Sequence, residues 1–361
     1  MKLAVSEAIL SIAPYVPGKP IETLEREYGI RDAIKLASNE NPLGPSPLAV
    51  KAIEATLGKL HRYPDGAGHD LTNELAAFLG LAPENIVLGN GSDDIIGMLT
   101  RAFLRPGDEV IIPQPSFLMY DIGTRSADAC PVPVPLHDLA IDLEGMLQRV
   151  TDRTRMIFLT NPHNPTGAII SQKAFEAFWN TVPAQVVVVL DEAYIEFARD
   201  NACLKSVPLL DEGRPLVILR TFSKLYGLAG LRMGYGIMPR QIADLLNRIR
   251  QPFTTSTLAQ IGARAALRDS AFVKQTLELV HTELEMLYKA LERMGVRFFP
   301  TQANFFMIDV ERSADQVFEA LLQRGVIVRA MTSYGYPQFI RVSVGLPAEN
   351  VRFIEALKMV L

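Results

Sequence analysis

The run QVVVVLDE at 185–192 constrains the fold more than any other stretch, because it places five apolar residues in succession without polar alternation. A strand with this pattern is typical of a sheet that is covered on both faces. Further β-branched runs occur at 85–89, 108–113, 155–160, 215–222 and 233–238. Helical stretches separate them, near 70–80, 92–104, 142–150, 171–180 and 239–250. This alternation predicts an α/β fold with a mostly parallel, doubly wound central sheet.

The rest of the pattern predicts three parts. Residues 1–45 are rich in proline and turn residues, which indicates an N-terminal arm that lies over the remainder. Residues 46–255 hold the alternating strands and helices and form the expected large domain. A long helical stretch over 256–294 then leads to a different arrangement of strands and helices, which predicts a smaller α+β domain at 256–361.

Composition and charge exclude several classes of function. The 361 residues include 36 lysines and arginines against 40 aspartates and glutamates, a net charge of −4 without a basic block. We therefore expect neither a nucleic-acid nor a membrane partner. The five histidines show no metal-ligand spacing, so no metal site is expected. Two cysteines are too few for a disulfide framework, and no signal peptide is recognisable, which together predict a cytoplasmic location.

The segment GNGSDD at 89–94 ends a strand-like run and opens a helical stretch. Free N–H groups at a helix start, beside glycine and serine, bind anions. One interpretation is a phosphate site made by Gly91, Ser92 and Asp93. The other is a glycine-rich turn in which a serine or aspartate caps the helix. The segment is neither a GxGxxG nor a Walker motif.

Two further motifs follow predicted strands. In NPHNPTG at 161–167 the Asn-Pro steps force a turn at the edge of the sheet where ligands bind, so Asn164 either contacts a ligand oxygen or belongs to a rigid turn. In DEAY at 191–194, Asp191 ends a buried run and needs a partner. A cationic nitrogen in the aromatic ring of a ligand is one such partner. Tyr194 would then lie near a phenolic oxygen on the same ring. A helix N-cap is the alternative.

The stretch TFSKLYGLAGLRMG at 221–234 places one lysine in an apolar segment punctuated by glycines. An amine that attacks a carbonyl must be neutral, and desolvation and nearby cations lower its pKa. These surroundings therefore predict that Lys224 bonds covalently to a carbonyl ligand.

In this order, and about 70, 30 and 30 residues apart, the four motifs resemble the fold-type I enzymes that use pyridoxal phosphate. The similarity extends over nearly the whole chain through SNENPLGPSP, HRYPDG, DEAYIEF, GVIVR and IRVSVG. Within fold type I the sequence is most similar to class II aminotransferases of the histidinol-phosphate aminotransferase type. This resemblance implies pyridoxal 5′-phosphate as the cofactor and a homodimer with shared active sites.

The resemblance also implies roles around the cofactor. Lys224 would form the Schiff base and move a proton between the substrate Cα and the cofactor. Asp191 would pair with the pyridine nitrogen, Asn164 and Tyr194 would bond the ring oxygen, and Phe117 would stack on the ring. Many relatives have tyrosine at position 117, so phenylalanine keeps the stacking and loses a hydroxyl contact. The cofactor phosphate would be held by Gly91, Ser92, Asp93, Thr221, Ser223 and Arg232, with Gly227 and Gly230 letting the backbone approach.

Other implied roles concern the substrate and a partner subunit. Tyr63 resembles the tyrosine that reaches the neighbouring active site. Arg341 would bind a substrate carboxylate as a bidentate fork, with Asn39 also at the substrate. Arg329 either recognises a substrate phosphate or is a surface arginine that ends a strand. Tyr15 either closes over the substrate or only packs within the arm.

The resemblance predicts amino transfer from histidinol phosphate to 2-oxoglutarate by a ping-pong mechanism. One alternative is the same chemistry on an aromatic amino acid. Another is a threonine-phosphate decarboxylase, which would release CO₂ and need no oxo-acid. A regulator with an aminotransferase-like domain is disfavoured because 361 residues leave no room for an added DNA-binding domain. A dehydrogenase is disfavoured because no strand is followed by GxGxxG.

Overall fold

The computed structural model describes residues 4–14, 18–211 and 213–361. The strands are β1 (Ile34–Lys35), β2 (Ile86–Asn90), β3 (Glu109–Gln114), β4 (Cys130–Pro135), β5 (Thr154–Thr160), β6 (Val187–Asp191), β7 (Leu216–Thr221), β8 (Met233–Ile237), β9 (Phe298–Phe299), β10 (Phe305–Asp309), β11 (Val326–Ile327), β12 (Arg329–Ala330) and β13 (Phe339–Ser343). The α-helices are α1 (Glu7–Leu10), α2 (Ile21–Tyr28), α3 (Pro47–Glu54), α4 (His69–Leu79), α5 (Ser92–Phe103), α6 (Met119–Ser126), α7 (Leu143–Gln148), α8 (Gln172–Thr181), α9 (Arg240–Ile249), α10 (Thr257–Leu267), α11 (Ser270–Met294), α12 (Ala314–Leu322) and α13 (Pro347–Val360).

A seven-stranded sheet forms the centre of the described part of the chain, in the order β2-β8-β7-β6-β5-β3-β4. The neighbours from β7 to β4 are parallel, which confirms the predicted fold class. Only β8 runs antiparallel to its neighbours in this sheet, β2 and β7. Its direction follows from the short connection at 222–232, because a parallel strand needs a longer crossover.

The apolar run that predicts the sheet is buried on both faces. Successive side chains of β6 point to opposite sides. Val187 and Val189 pack in a cluster with Ile95 of α5, whereas Val188 packs on the other face in a cluster with Phe175 of α8. The four valines and their neighbour Leu190 are at most 3% exposed. An unalternated strand is therefore what this position between two helical layers requires.

Two regions differ from the sequence prediction. Strand β4, CPVPVP, was not predicted because it contains three prolines. It lies at the edge of the sheet beside β3, where a missing N–H is tolerated. The helical stretch expected over 256–294 is two helices, α10 and α11. They separate at Asp269, whose carboxylate caps α11 by accepting from the Phe272 N–H at 3.2 Å.

A second sheet lies in the C-terminal part, with antiparallel strands in the order β12-β13-β10-β9. Helices α12 and α13 contact each other here, and α11 packs against α13. This arrangement has the α+β character that the sequence pattern indicates after residue 256. The boundaries at 45 and 255 stay predictions.

The N-terminal residues 21–37 pack against this C-terminal part. Strand β1 pairs in parallel with β11, where Ile34 lies opposite Val326. Leu24 of α2 is fully buried in a cluster with Leu322 and Ile327. The segment expected to be an arm therefore contains the helices α1 and α2 and the strand β1, which its proline-rich sequence did not indicate.

Membrane spans and metal clusters are absent from the described ranges. No helix in residues 4–14, 18–211 and 213–361 is both long and apolar enough to cross a membrane. Across those residues, no group of three or more His, Cys, Asp or Glu side chains is placed to hold a metal ion. Cys130 is exposed, Cys203 is buried, and both are free thiols.

Candidate active site

A cavity of about 280 Å³ opens at the carboxyl ends of three neighbouring strands of the central sheet. Strands β5, β6 and β7 end at Thr160, Asp191 and Thr221, and all three residues line it. Open α/β sheets bind their ligands at this edge. Residues singled out in the sequence that line the cavity are Ser92, Asp93, Phe117, Asn164, Asp191, Tyr194, Thr221, Ser223, Lys224 and Arg232. The other lining residues are Ser38, Glu40, Tyr120, Thr160, Ala193 and Ala229.

Lys224 lies in the loop that follows β7. Its Nζ donates to the main-chain oxygen of Ser38 at 3.1 Å and lies 5.6 Å from the centre of the Tyr194 ring. Burial, followed by the positive charge of Arg341, lowers the pKa of Lys224 from 10.5 to about 8. The structure thus contains both the desolvation and the nearby cation that a nucleophilic amine requires.

Chemical labelling of the ligand-free protein should detect this lowered pKa. Only a neutral amine reacts with acetic anhydride, so the rate at Lys224 should rise with pH and reach half its maximum near pH 8. Mass spectrometry of the Lys224 peptide across a pH series measures the rate. In urea-unfolded protein the midpoint should move towards 10.5, the ordinary value. Equal midpoints in the two states would contradict the assignment.

Asp191 ends β6 and is 4% exposed. Its Oδ2 accepts from the Tyr120 hydroxyl at 2.7 Å, and its Oδ1 accepts from the Ala193 N–H at 3.1 Å. Burial raises the pKa of Asp191 from 3.8 to about 6, and the bond from Tyr120 acts in the opposite direction. The helix-cap interpretation is wrong, because the following 3₁₀ turn, Ile195–Phe197, has Tyr194 at its N-cap.

The start of α5 forms one wall of the cavity. The helix begins at Ser92, and its N-cap is Gly91, which adopts a φ of 82° and makes no side-chain cap. The interpretation that Ser92 or Asp93 caps this helix is therefore wrong. Its first-turn N–H groups and the helix dipole favour an anion at this position.

Hydroxyl groups and a guanidinium converge on the same corner. The Thr221 hydroxyl donates to Ser223 Oγ at 3.0 Å, and Arg232 Nη1 donates to the same oxygen at 3.4 Å. Arg232 also forms an ion pair with Asp93 at 3.3 Å. Burial raises the pKa of Asp93, and the charge of Arg232 opposes that shift. This corner can hold a phosphate through hydroxyl, N–H and guanidinium donors.

Two glycine-dependent contacts lie near the site. A Cβ on Gly234 would lie 2.4 Å from the backbone nitrogen of Ser92, so glycine is required for β8 to pass this close to α5. A Cβ on Gly227 would lie 2.0 Å from the carbonyl oxygen of Gly44, and one on Gly230 would have no neighbour within 4 Å. The expectation that glycine lets the backbone approach a phosphate is therefore wrong for Gly227, and for Gly230 it stays a prediction. Gly227 admits the N-terminal segment instead.

Tyr194 is linked to the C-terminal part through Asn39. The Asn39 Nδ2 donates to the Tyr194 hydroxyl at 3.0 Å, and Asn39 Oδ1 accepts from the Ser343 hydroxyl at 2.9 Å. Asn39 is 2% exposed and does not line the cavity. The structure therefore places this predicted substrate residue behind Tyr194.

Two arginines lie opposite each other on neighbouring strands of the second sheet. Arg341 of β13 is registered against Arg329 of β12. Arg341 Nη1 donates to Asn164 Oδ1, and its Nη2 donates to the carbonyl of Ala37 at 2.9 Å. Neither arginine lines the cavity, but Arg341 contacts a residue that does.

Of the two predicted tyrosines at 63 and 15, the structure describes only Tyr63, which is not at the cavity. Tyr63 is 83% exposed and stacks on Phe253 with the ring centres 4.6 Å apart, outside the cavity of its own chain. Tyr15 lies outside the described residues.

Sequence reasoning missed six of the lining residues, the small side chains Ala193 and Ala229 and four others. Tyr120 lies three positions after Phe117, one turn away on a helix that was not predicted. Thr160 is the last residue of β5, and its place directly before NPHNPTG was a usable signal. Ser38 contributes a main-chain oxygen, which no side-chain pattern reveals. Glu40 lies two residues further along the same segment and pairs with Lys35 at 2.9 Å.

The residues present fit the cofactor that the sequence resemblance implies. Hydroxyls, a guanidinium and a helix start match a phosphate. A buried carboxylate matches a protonated ring nitrogen, and an amine with a lowered pKa matches an aldehyde. All of these groups line one cavity.

Comparisons with known proteins agree with this arrangement. Residues 31–357 match the family described as aminotransferase class I and II. The histidinol-phosphate aminotransferase of Moorella thermoacetica is 46% identical over 98% of this chain and 92% of its own. That of Desulfotalea psychrophila is 46% identical over 99% and 95%. The crystal structure of histidinol-phosphate aminotransferase from Sinorhizobium meliloti in complex with pyridoxal-5′-phosphate has 29% identity and a TM-score of 0.91, covering 100% of this chain and 98% of that one. The chain belongs to the class I and II aminotransferase family.

Proposed function

We propose that this protein uses pyridoxal 5′-phosphate to transfer the amino group of L-histidinol phosphate to 2-oxoglutarate. The products are imidazole-acetol phosphate and L-glutamate, in a step of histidine biosynthesis. The observation that carries the proposal is one cavity in which Lys224, with its lowered pKa, and Asp191 lie beside an anion-binding corner. The 46% identity to histidinol-phosphate aminotransferases over nearly the full length supports this amino donor.

When bound, pyridoxal 5′-phosphate supplies a carbonyl that condenses with amines and a ring that accepts the electrons released at the substrate Cα. Lys224 provides the amine for attachment, and its lowered pKa keeps part of that amine neutral. With the cofactor bound, the free Lys224 amine would be placed to take a proton from the substrate Cα and to return it to the carbon next to the ring. The carbonyl of Ser38 holds the amine at the cavity wall.

Asp191, Tyr194 and Asn164 orient and polarise the ring. The charge of Asp191 keeps a proton on the pyridine nitrogen. Asn39 donates to the Tyr194 hydroxyl, so the tyrosine's own proton is left to donate to the ring oxygen. The Asn164 amide lies on the same cavity and is fixed by Arg341.

The substrates place different anions near the two arginines. Histidinol phosphate carries a phosphate and no carboxylate, whereas glutamate and 2-oxoglutarate carry an α-carboxylate. We assign Arg341 to the carboxylate, because a guanidinium fork matches it. Arg329, across the strand pair from Arg341, is assigned to the donor's phosphate.

Replacing Arg329 with alanine should separate phosphorylated from unphosphorylated donors. We expect KM for histidinol phosphate to rise by about tenfold or more, because a charge-assisted bond to phosphate is lost, while KM for an unphosphorylated donor such as phenylalanine changes little. Steady-state kinetics on both donors measures the difference. The matched control is Arg324→Ala, an exposed arginine nearby that bonds the Ala320 carbonyl. Equal rises for both donors would remove the phosphate role.

The substrate assignment is tested by single half-reactions. The loaded enzyme is mixed separately with L-histidinol phosphate, L-phenylalanine and L-threonine phosphate, and absorbance follows conversion of the cofactor from its aldehyde to its amine form. Fast conversion by histidinol phosphate alone is the expected result. Faster conversion by phenylalanine would make the enzyme an aromatic aminotransferase. Release of CO₂ from threonine phosphate would make it a decarboxylase.

We also propose that two copies of the chain share their active sites. Tyr63 supports this, because its ring is 83% exposed and lies outside the cavity of its own chain. Light scattering should give twice the chain mass of 39.9 kDa. A monomer that remains fully active would contradict the assignment of Tyr63 to a neighbouring site. The cytoplasmic location stays a prediction from the sequence.

A further inference from the structure

Tyr120 is a buried tyrosine on α6 whose hydroxyl reaches the floor of the cavity. The residue is 0% exposed, and its hydroxyl donates to Asp191 Oδ2 at 2.7 Å. The same oxygen lies 3.0 Å from Thr160 Oγ1. A carboxylate only accepts hydrogen bonds, so the single proton of Tyr120 is committed to Asp191. Thr160 must then donate to Tyr120, which gives a directed chain from Thr160 through Tyr120 to Asp191.

Aromatic packing fixes the position of that hydroxyl. The Tyr120 ring stacks on Phe158 with centres 4.5 Å apart and planes 7° apart. It meets the edge of Phe117 at 5.7 Å and 87°. Phe158 belongs to β5 and Phe117 precedes α6, so the tyrosine ring packs against two separate segments of the chain. Its oxygen therefore serves as a fixed point for the carboxylate.

Within the described part of the chain, each side-chain oxygen of Asp191 accepts from one donor. Oδ2 accepts from Tyr120, and Oδ1 accepts from the Ala193 N–H at 3.1 Å. Two donors on two oxygens set the plane of a carboxylate as well as its position. Burial raises the pKa of Asp191, and the bond from Tyr120 opposes that rise. The tyrosine therefore favours the charged form as well as one orientation of it.

We infer that Tyr120 is a positioning residue that aims the Asp191 carboxylate at the ring nitrogen of the bound cofactor. This inference rests on the proposed function, because it requires a pyridine ring in the cavity. Tyr120 itself has no proton left for the ring or the substrate. Its effect on the cofactor must therefore pass through Asp191, and that dependence can be measured.

A double-mutant cycle on cofactor affinity tests the inference. Apoprotein is titrated with pyridoxal 5′-phosphate, and Kd is measured by absorbance for the wild type, Tyr120→Phe, Asp191→Asn and the double variant. We expect Tyr120→Phe to weaken binding by about tenfold in the wild-type background, as for loss of a hydrogen bond to a charged group. In the Asp191→Asn background it should weaken binding by less than about threefold, because the charge on which it acts is gone.

Two further variants separate positioning from general packing. Tyr288→Phe also removes a buried hydroxyl, one that accepts from the Thr301 N–H away from the cavity, and it should leave Kd within about twofold of the wild type. Thr160→Val keeps the Tyr120 side chain and removes the donor to its hydroxyl. Because Thr160 also lines the cavity, any direct effect on the cofactor is measured in the Asp191→Asn background. Thr160→Val should weaken binding by about threefold, again only when Asp191 is present. Thermal unfolding of each apoprotein shows whether it is folded.

The outcomes are distinct. Equal weakening by Tyr120→Phe in both backgrounds would overturn the inference, because the hydroxyl would then act by another route. Unchanged affinity in Tyr120→Phe would overturn it as well, while leaving the proposed function intact. A wild-type apoprotein that does not bind pyridoxal 5′-phosphate would overturn the proposed function itself. If Tyr120→Phe fails to fold, the Thr160→Val pair decides: weakening of about threefold with Asp191 and none with Asp191→Asn supports the inference, and equal weakening in both backgrounds overturns it.

Discussion

Replacing Lys224 with alanine should lower the rate of amino transfer by at least about 10⁵-fold. Among the described residues that line the cavity, Lys224 is the only amine, so no neighbour can take over attachment or the proton transfer at Cα. The loss should appear in kcat of both half-reactions. Binding of the cofactor phosphate should be kept, because the residues of the phosphate corner are not altered. Stopped-flow absorbance under single-turnover conditions with histidinol phosphate measures it.

Arginine at this position provides the matched control. Lys224→Arg keeps a long cationic side chain, but a guanidinium cannot become a neutral nucleophile. It should be as inactive as the alanine variant, which would show that the neutral amine is the essential property. Turnover within about tenfold of the wild type in either variant would refute the role of Lys224.

The same residue should also destabilise the ligand-free protein. Its pKa in the folded state is about 8 against 10.5 ordinarily, so the charged form is disfavoured by folding. That penalty is fully present below pH 8 and fades between pH 8 and 10.5. Lys224→Met should therefore raise the free energy of unfolding of the apoprotein at pH 7. The expected gain is only about 1 kcal/mol, because solvent in the open cavity screens the charge of the amine. Chemical denaturation of both proteins at pH 7 and at pH 10.5 measures this difference in stability. If Lys224→Met were stabilised equally at both pH values, the charge of Lys224 would not be the cause.

Replacing Asp191 with asparagine should lower kcat by about 10²–10³-fold, the scale for losing one preorganised charge at a reacting centre. The change keeps the shape of the side chain and an oxygen for the Ala193 N–H, but removes the negative charge that retains a proton on the ring nitrogen. The ring then accepts electrons from Cα less readily. Single-turnover rates at saturating cofactor separate this chemical loss from weaker binding.

A variant that keeps the negative charge at position 191 serves as the comparison for Asp191→Asn. Asp191→Glu keeps the carboxylate but moves it by one methylene, so it should lose affinity for the cofactor while keeping more of kcat than Asp191→Asn. If Asp191→Asn turned over within about threefold of the wild type, the carboxylate would have no part in the chemistry. The two variants together distinguish charge from placement.

Most central strands could be predicted because they contain an uninterrupted apolar run, such as VVVVL at 186–190 and LVIL at 216–219, and local pattern decides such strands. Residues that directly follow those runs could be located for the same reason. Asn164, Asp191 and Lys224 all lie within four residues of a strand end, and parallel strands bring their carboxyl ends to one edge. Strand β4 and the division between α10 and α11 were missed because three prolines and one capping aspartate overrule the periodicity.

Contacts between distant segments could not be predicted from a single sequence. The bond between Tyr120 and Asp191 joins positions 71 apart, and the bond between Asn39 and Ser343 joins positions 304 apart. Nothing local in either segment indicates the partner. The same limit explains the wrong expectation for Gly227, whose close neighbour is the carbonyl of Gly44 in a segment far away in sequence.

The pairing of the N-terminal segment with the C-terminal part determines when this site can assemble during synthesis. Ser38, the acceptor for the Lys224 amine, lies between β1 and Asn39, and these bond to β11 and to Ser343. The ribosome makes residues 34–39 early and their partners about 300 residues later. The large sheet can form beforehand, but residues 34–39 gain their pairing with β11 and the bond to Ser343 only after those C-terminal strands have been made. Between the synthesis of Lys224 and that of Ser343, the nascent chain therefore contains the nucleophile's loop while the segment that carries its acceptor is not yet anchored.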